Sequence, residues 1–249
     1  MKKLVRTFGA ALLIWGFCAP GANANVIIAG TRVIFPAKDG EVTVRLTNQN
    51  TTPALVEAWV DAGQPDSTPD KVNTPFLITP PLFRMEPNRD QSLRILFTHS
   101  ETPLPTDRES LFWLNVLEIP PKPSGPQLQG KNYIQLAIRS RLKLFYRPDG
   151  LAGDPIKAPG ELTFKTATLP GSGALIVHNP TPYYVTISEF SLVADGTSYK
   201  VDPGMVAPMS DLRVAVRQLK QAPAVGSLVN FQSINDYGAS VALKGTVAP

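Results

Sequence analysis

Cysteine is nearly absent from this chain of 249 residues: the only one is Cys18, inside an N-terminal stretch that reads as a leader. Once that stretch is removed, no internal disulfide, zinc–thiolate site or thiol nucleophile can form, so stability must come from the core. Histidine is almost as scarce. The two present, His99 between Thr98 and Ser100 and His178 between Val177 and Asn179, have no neighbour at metal-ligand spacing. Most hydrolytic chemistry needs a tunable base of this kind beside a nucleophile or metal. Gly-x-Gly-x-x-Gly, Walker and Gly-x-Ser-x-Gly patterns are missing too, and with them the usual nucleotide sites and the serine-hydrolase elbow. An excess of one charge is also lacking. The formal net charge of +4 shrinks when Lys2, Lys3 and Arg6 leave with the leader, because 21 basic residues then face 20 acidic ones. That balance gives no electrostatic footprint for nucleic acid.

Long apolar runs are absent as well. The longest begins the chain: a basic start, an apolar stretch from Phe8 to Phe17, and the small-residue site Ala22-Asn23-Ala24. This is a secretory signal, expected to be cleaved so that residues 1–24 are lost and Asn25 begins the mature chain. Gly9, Gly16 and Pro20 interrupt it, well short of the roughly 20 apolar residues of a membrane span. Phe17 stands where a lipoprotein signal at Cys18 would want a small residue. The expectation is a soluble exported protein with no membrane span.

What the chain has in abundance is short, β-branched or aromatic, alternating segments between turn-rich ones, which is the signature of strands and leaves little room for helix. Expected strands cover 26–35, 41–48, 54–60, 76–78, 92–97, 111–117 and 131–146. Seven strands in about 120 residues fit an immunoglobulin-like sandwich. Tyr146-Arg147-Pro148-Asp149-Gly150 closes the block, since proline cannot donate to a ladder and Asp-Gly favours a turn. A second series follows at 162–166, 174–179, 183–192, 198–201, 211–216, 227–234 and 240–246. The expected organisation is therefore a leader (1–24) and two β-sandwich domains, 25–148 and 149–249. The 25 prolines fall mainly between strands and mark turns and edges.

The segment 131–146 alternates cleanly. Ile134, Leu136, Ile138, Leu142 and Leu144 share one parity, and Lys131, Gln135, Arg139, Arg141 and Lys143 the other. Alternation alone describes any half-buried strand. The length is less ordinary, because sixteen residues exceed the usual five or six or so and would outrun the home domain.

Several stretches resemble periplasmic pilus (fimbrial) assembly chaperones of the chaperone/usher pathway. Leu104-Pro105-Thr106-Asp107-Arg108-Glu109-Ser110-Leu111-Phe112-Trp113-Leu114-Asn115-Val116-Leu117-Glu118-Ile119-Pro120-Pro121 is similar to that family's signature stretch. Leu142-Lys143-Leu144-Phe145-Tyr146-Arg147-Pro148 resembles the end of its first domain. Asn179-Pro180-Thr181-Pro182-Tyr183-Tyr184 and Ile234-Asn235-Asp236-Tyr237-Gly238 resemble hallmarks of its second. With Thr31-Arg32-Val33-Ile34-Phe35 and Thr79-Pro80-Pro81, these blocks keep family order across nearly the whole mature chain.

The resemblance implies an L-shaped pair of immunoglobulin-like domains with a cleft at the corner, no enzymatic activity and no cofactor. It implies pilus subunits as clients, each a sandwich lacking its last strand, which the chaperone completes with an edge strand before an outer-membrane usher takes over. Arg32 and Lys143 match the cleft cations that bind the carboxylate at the subunit's C-terminus. Ile134, Leu136 and Ile138 would be the donated row. Glu109, Arg147 and Asp236 match a charge trio bridging the domains. The absence of cysteine in the mature chain places it in the branch with a short loop before the donor strand, although the Pro/Gly-rich residues from Lys122 to Gly130 run somewhat long for it. Two other readings stand beside this one: a pilin- or adhesin-type sandwich, and an exported glycosidase using Glu109 and Asp236. Self-association of the free protein through its exposed edge is left open.

Overall fold

The computed structural model describes residues 26–98, 103–122 and 132–249. The leader, His99, Lys131 and the loop residues 123–130 lie outside the described residues. What is described consists of strands and two short 3-10 turns, Ala37–Asp39 and Ala158–Glu161.

The first module packs two sheets face to face. One contains β1 (Val26–Ile28), β3 (Glu41–Asn48), β7 (Asp90–Phe97) and β5 (Phe76–Thr79), in that order across the sheet. The other contains β2 (Arg32–Pro36), β9 (Ile138–Arg147), β8 (Ser110–Ile119), β4 (Ala54–Asp61) and β6 (Leu82–Met85). Inward residues alternate along each strand as the period of two requires. Phe35, Leu46, Val56, Leu93, Ile95, Leu114 and Leu144 are fully or almost fully buried between the layers. Burying such a side chain is worth roughly 1.5–3 kcal/mol, so this row carries the module without a disulfide.

In the second module all the strands join one hydrogen-bonded sheet. Its order runs β13 (Thr197–Lys200), β12 (Val185–Ala194), β16 (Leu228–Ile234), β17 (Ser240–Ala248), β10 (Thr163–Leu169), β11 (Ser172–Asn179) and β15 (Ser210–Ala215), with β14 (Gly204–Val206) also on β12. Phe164, Leu175, Val177, Leu192, Val206 and Val229 fill its core. In both modules an early strand pairs parallel with the last one, β2 with β9 and β10 with β17, while the other ladders are antiparallel.

Three expectations need correction. The strand expected at 26–35 is two strands, because Gly30 at φ 92° turns the chain so that β1 joins one sheet and β2 the other. Two short strands, β6 and β14, were not anticipated; proline punctuation on either side of 82–85 masks the first. Most important, the strand expected at 131–146 begins only at Ile138 and ends at Arg147. Its antiparallel neighbour β8 stops at Ile119 before Pro120-Pro121, so residues 132–137 have no ladder to join.

Candidate functional site

Arg147 closes β9 at the seam between the modules. Its Nε donates to Glu109 Oε1 at 2.7 Å, and Nη1 and Nη2 donate to the two Asp236 oxygens at 2.7 and 3.1 Å. Glu109 belongs to the first module and is 3% exposed. Its Oε2 accepts the backbone N–H of Tyr184 at 2.7 Å, and its own N–H donates to the Pro182 carbonyl at 3.0 Å. Asp236 comes from the turn after β16, where Asn235 Oδ1 accepts the N–H groups of Tyr237 and Ala239, both at 3.0 Å. Burial opposes the charge on Arg147, yet the two carboxylates outweigh it and hold its pKa above the ordinary arginine value. Glu109 has only a share of that cation, and burial pushes its carboxyl up against the pull of Arg147 and the Tyr184 N–H.

The segment that supplies Pro182 and Tyr184 is itself built by Asn179. Its buried side chain donates to the carbonyls of Tyr183 at 2.7 Å and Ala207 at 3.0 Å, and accepts the Thr181 N–H at 3.0 Å. This explains the Asn-Pro-Thr-Pro sequence: the prolines cannot supply those bonds, so a carboxamide does.

Next to the seam lies an open cavity of about 260 Å³ walled by Thr31, Trp113, Ile234 and Gly238 together with Arg32, Arg141 and Lys143. Arg32 and Lys143 are aligned partners in the parallel β2/β9 ladder, so their side chains emerge on the same face. Arg32 Nη1 donates to the Ile234 carbonyl at 2.8 Å, and Lys143 Nζ to Thr186 Oγ1 at 3.1 Å. Neither forms a close ion pair among the described residues. Arg32 Nε is buried with no acceptor among the described residues. Burial, and then the neighbouring Arg32, pull Lys143 down to about 8. Burial likewise lowers Arg32, against the attraction of the more distant Asp236 and Glu109. Two half-desolvated cations aimed at one opening form a site for an anion, and a carboxylate matches a guanidinium fork beside a point charge.

β9 leads out of this cavity with one edge bare. β8 covers Ile138 to Tyr146 on one side, but β2 covers only Lys143 to Arg147 on the other. The backbone edge from Ile138 to Leu142 therefore lacks a partner among the described residues. Upstream, Ile134, Leu136 and Ile138 are 87%, 71% and 45% exposed, whereas Leu142 and Leu144, of the same parity, are buried in the core.

Sequence reasoning missed the support behind β9. Arg141 is bonded through two nitrogens to the fully buried Asp61, which also accepts from Asn115 at 2.8 Å and Ser67 at 3.1 Å. Arg141 lies over the Trp113 ring at 4.2 Å and Arg139 over Trp59 at 5.7 Å. Polar Asp61 and Asn115 in otherwise bulky apolar strands were the available signal. Outside this region, His178 pairs with Asp211 at 2.7 Å, an exposed side-chain pair aligned across the β11/β15 ladder.

Family comparison matches this geometry along almost the whole chain. The family described as pili and flagellar-assembly chaperone, PapD N-terminal domain, matches residues 25–152, and pili assembly chaperone PapD, C-terminal domain, matches residues 157–245. The chain belongs to the PapD family of pilus-assembly chaperones. Chaperone protein FimB/FhaD of Bordetella pertussis is 43% identical over 98% of this chain and 96% of that protein. HifB of Haemophilus influenzae is 46% identical over 96% of this chain and 95% of that protein. Among solved structures, the YadV chaperone, known from Escherichia coli, is 41% identical with a TM-score of 0.75, covering 90% of this chain and all of that one. A chain of the Salmonella enterica complex between the SafA pilin and the SafB chaperone is 28% identical with a TM-score of 0.72, over 92% of this chain and 99% of that one. This chaperone thus shares both modules with its relatives, and among the described residues no helix is long and apolar enough to cross a membrane.

Proposed function

We propose that this chaperone is exported by cleavage after Ala24, captures pilus subunits in the periplasm and passes them to an outer-membrane usher. It would do so by donating Ile134, Leu136 and Ile138 to a subunit while Arg32 and Lys143 hold the subunit's C-terminal carboxylate. The observation that carries this reading is a bare strand edge running straight into a pair of cations that form no ion pair among the described residues.

The proposal also implies a direction for the client strand. β2 starts at the level of Lys143 and runs parallel to β9. A client strand on the bare edge upstream must occupy the lane that β2 vacates. Its C-terminal carboxylate can reach Arg32 and Lys143 only if the strand runs toward them, parallel to β9. The donated side chains then enter the client's groove, and three fully buried aliphatic residues would contribute roughly 5–9 kcal/mol before ordering costs. Residues 132–137 are exposed and unpaired, which suits a segment whose ladder partner is another chain.

Glu109 and Asp236 would fix the angle between modules through Arg147, and so the width of the cleft. That occupation speaks against the glycosidase reading, because both carboxylates are committed to one guanidinium. The test is periplasmic co-expression with a pilus subunit and affinity capture of the complex. Arg32→Ala or Lys143→Ala should abolish capture while leaving the chaperone folded. Leu136→Arg should do the same by placing an unpaired charge in the groove. Undiminished capture by both cation variants would remove the cleft from the mechanism.

A further inference from the structure

Residues 132–137 hold most of the donated row, yet they belong to no strand. The ladder of β8 and β9 reaches as far as Glu118 opposite Ile138. Continuing that register puts Pro120 opposite Leu136 and Pro121 opposite Gln135. In either phase of an antiparallel ladder one of these pairs should exchange bonds, and the proline in it has no N–H to give. The backbone therefore cannot zip onward. A segment left without a ladder is free to wander, and a client strand would have to order it residue by residue.

One contact opposes this. Gln135 Nε2 donates to the Pro120 carbonyl at 2.6 Å. Among the described residues it is the one hydrogen bond made by residues 132–136. Proline lacks the donor but keeps its acceptor, and a carboxamide can reach it where the backbone cannot. Gln135 has the parity of Arg139 and Arg141, so in an extended segment its side chain leaves the face opposite to Ile134, Leu136 and Ile138. Pro120 continues β8, which flanks β9 on the side away from β2. The tether thus occupies neither the donated row nor the lane that a client strand would enter. We infer that Gln135 is a positioning residue whose carboxamide latches the donor segment along the end of β8, presenting the row to a client already extended. The inference rests on the donor role proposed above. Such a latch acts on encounter: only molecules with the segment extended are competent to bind, so unlatching slows association in proportion to the loss of that fraction and leaves dissociation alone.

The probe is a synthetic peptide carrying the C-terminal strand of a pilus subunit that wild type captures in periplasmic co-expression. Association and dissociation rates are measured for wild type, Gln135→Ala and Gln135→Glu, the last isosteric but ionised at neutral pH and so without a donor. Both variants are expected to associate about two- to tenfold more slowly, the range to which the net worth of one hydrogen bond converts. Dissociation and denaturant midpoint should stay as in wild type. In the free protein, backbone order parameters of residues 133–136 should fall below about 0.6 in both variants and stay above it in wild type. Pro120→Ala with Pro121→Ala returns the missing N–H groups; in that background β8 can pair onward, and Gln135→Ala should no longer slow association. Equal association rates for wild type and both variants overturn the inference. So does a loss confined to the dissociation rate, which would make Gln135 a client contact rather than a latch. Should wild type bind neither subunit nor peptide, the donor role itself falls and takes the inference with it.

Discussion

Lys143 on β9 and Asp61 on β4 are charged side chains on the two strands that flank β8 in one sheet, and both titrate below their ordinary values, which disfavours the charge on the lysine and favours it on the aspartate. Lys143 ionises at about 8, below the ordinary 10.5. Between those values the unfolded chain binds more protons at this site than the folded one, so free chaperone gains stability from this group as pH rises through that window. Lys143→Met is expected to flatten the rise, read as denaturant midpoints against pH. Subunit capture should run the other way, because a carboxylate favours the ammonium, and should weaken as pH climbs past about 8. At Asp61 the charged form is the favoured one. Burial opposes its charge, but hydrogen bonds from Arg141, Asn115 and the Gly63 N–H prevail and hold it at about 2. A depressed carboxylate stabilises above its unfolded pKa, and here that is lost only as pH falls from the ordinary 3.8 toward 2. Asp61→Ala would leave Arg141 half-buried without its anion and is expected to cost about 3 kcal/mol, measurable as a drop in urea midpoint at neutral pH.

β9 is where the scale of the element decides what a residue does. Leu136 and Leu142 share a parity and a chemistry, yet one is 71% exposed and the other 8%. Leu142→Ala should destabilise the free chaperone by about 3 kcal/mol through a core cavity. Leu136→Ala should leave stability within about 0.5 kcal/mol but reduce subunit capture. Amide exchange tests the same division: the N–H groups of residues 132–137 should exchange rapidly in free chaperone and become protected when a subunit is bound. The alternation of 131–146 was legible in the sequence, and the strands at 41–48 and 240–248 were nearly so, because a period of two survives wherever one face is buried. Where β9 begins was not legible, since that depends on β8 ending at Ile119, a fact about another segment. Arg32 and Lys143 could be singled out only through their family-like flanks; nothing in two isolated cations 111 positions apart says that a parallel ladder aligns them. The buried network of Asp61, Ser67, Asn115 and Arg141 escaped for the same reason. Its members are ordinary polar residues until β4, β8 and β9 lie side by side.

At the scale of the whole molecule, two sandwiches of similar design meet through very few side chains. Each ends a strand with a buried asparagine that ties a turn: Asn48 donates to the Thr52 carbonyl at 3.0 Å in the first, and Asn179 does the equivalent in the second. Among the described residues, the seam holds the aromatic contact of Phe145 with Tyr184 at 5.6 Å and places Arg147 over Tyr183 at 5.3 Å. On the proposed reading, Arg147 is the residue through which the angle of the modules would be set. Arg147→Ala leaves Glu109 almost fully buried beside Asp236 with no cation between them, and like charges at that range repel. Each module keeps its own core, so the expected result is two folded domains that sample a wider range of angles, seen as a broadened distance distribution in small-angle scattering. Gly238 offers an independent handle on the same geometry. It sits at φ 81°, and a β-carbon there would come within 2.6 Å of Thr31 Oγ1 in the other module. Gly238→Val should thus push the turn carrying Asp236 away from Arg32 and weaken subunit capture, with the thermal unfolding of the first module unchanged. If both variants capture subunits as well as wild type does, the cleft tolerates a variable width, and the charge trio serves stability alone.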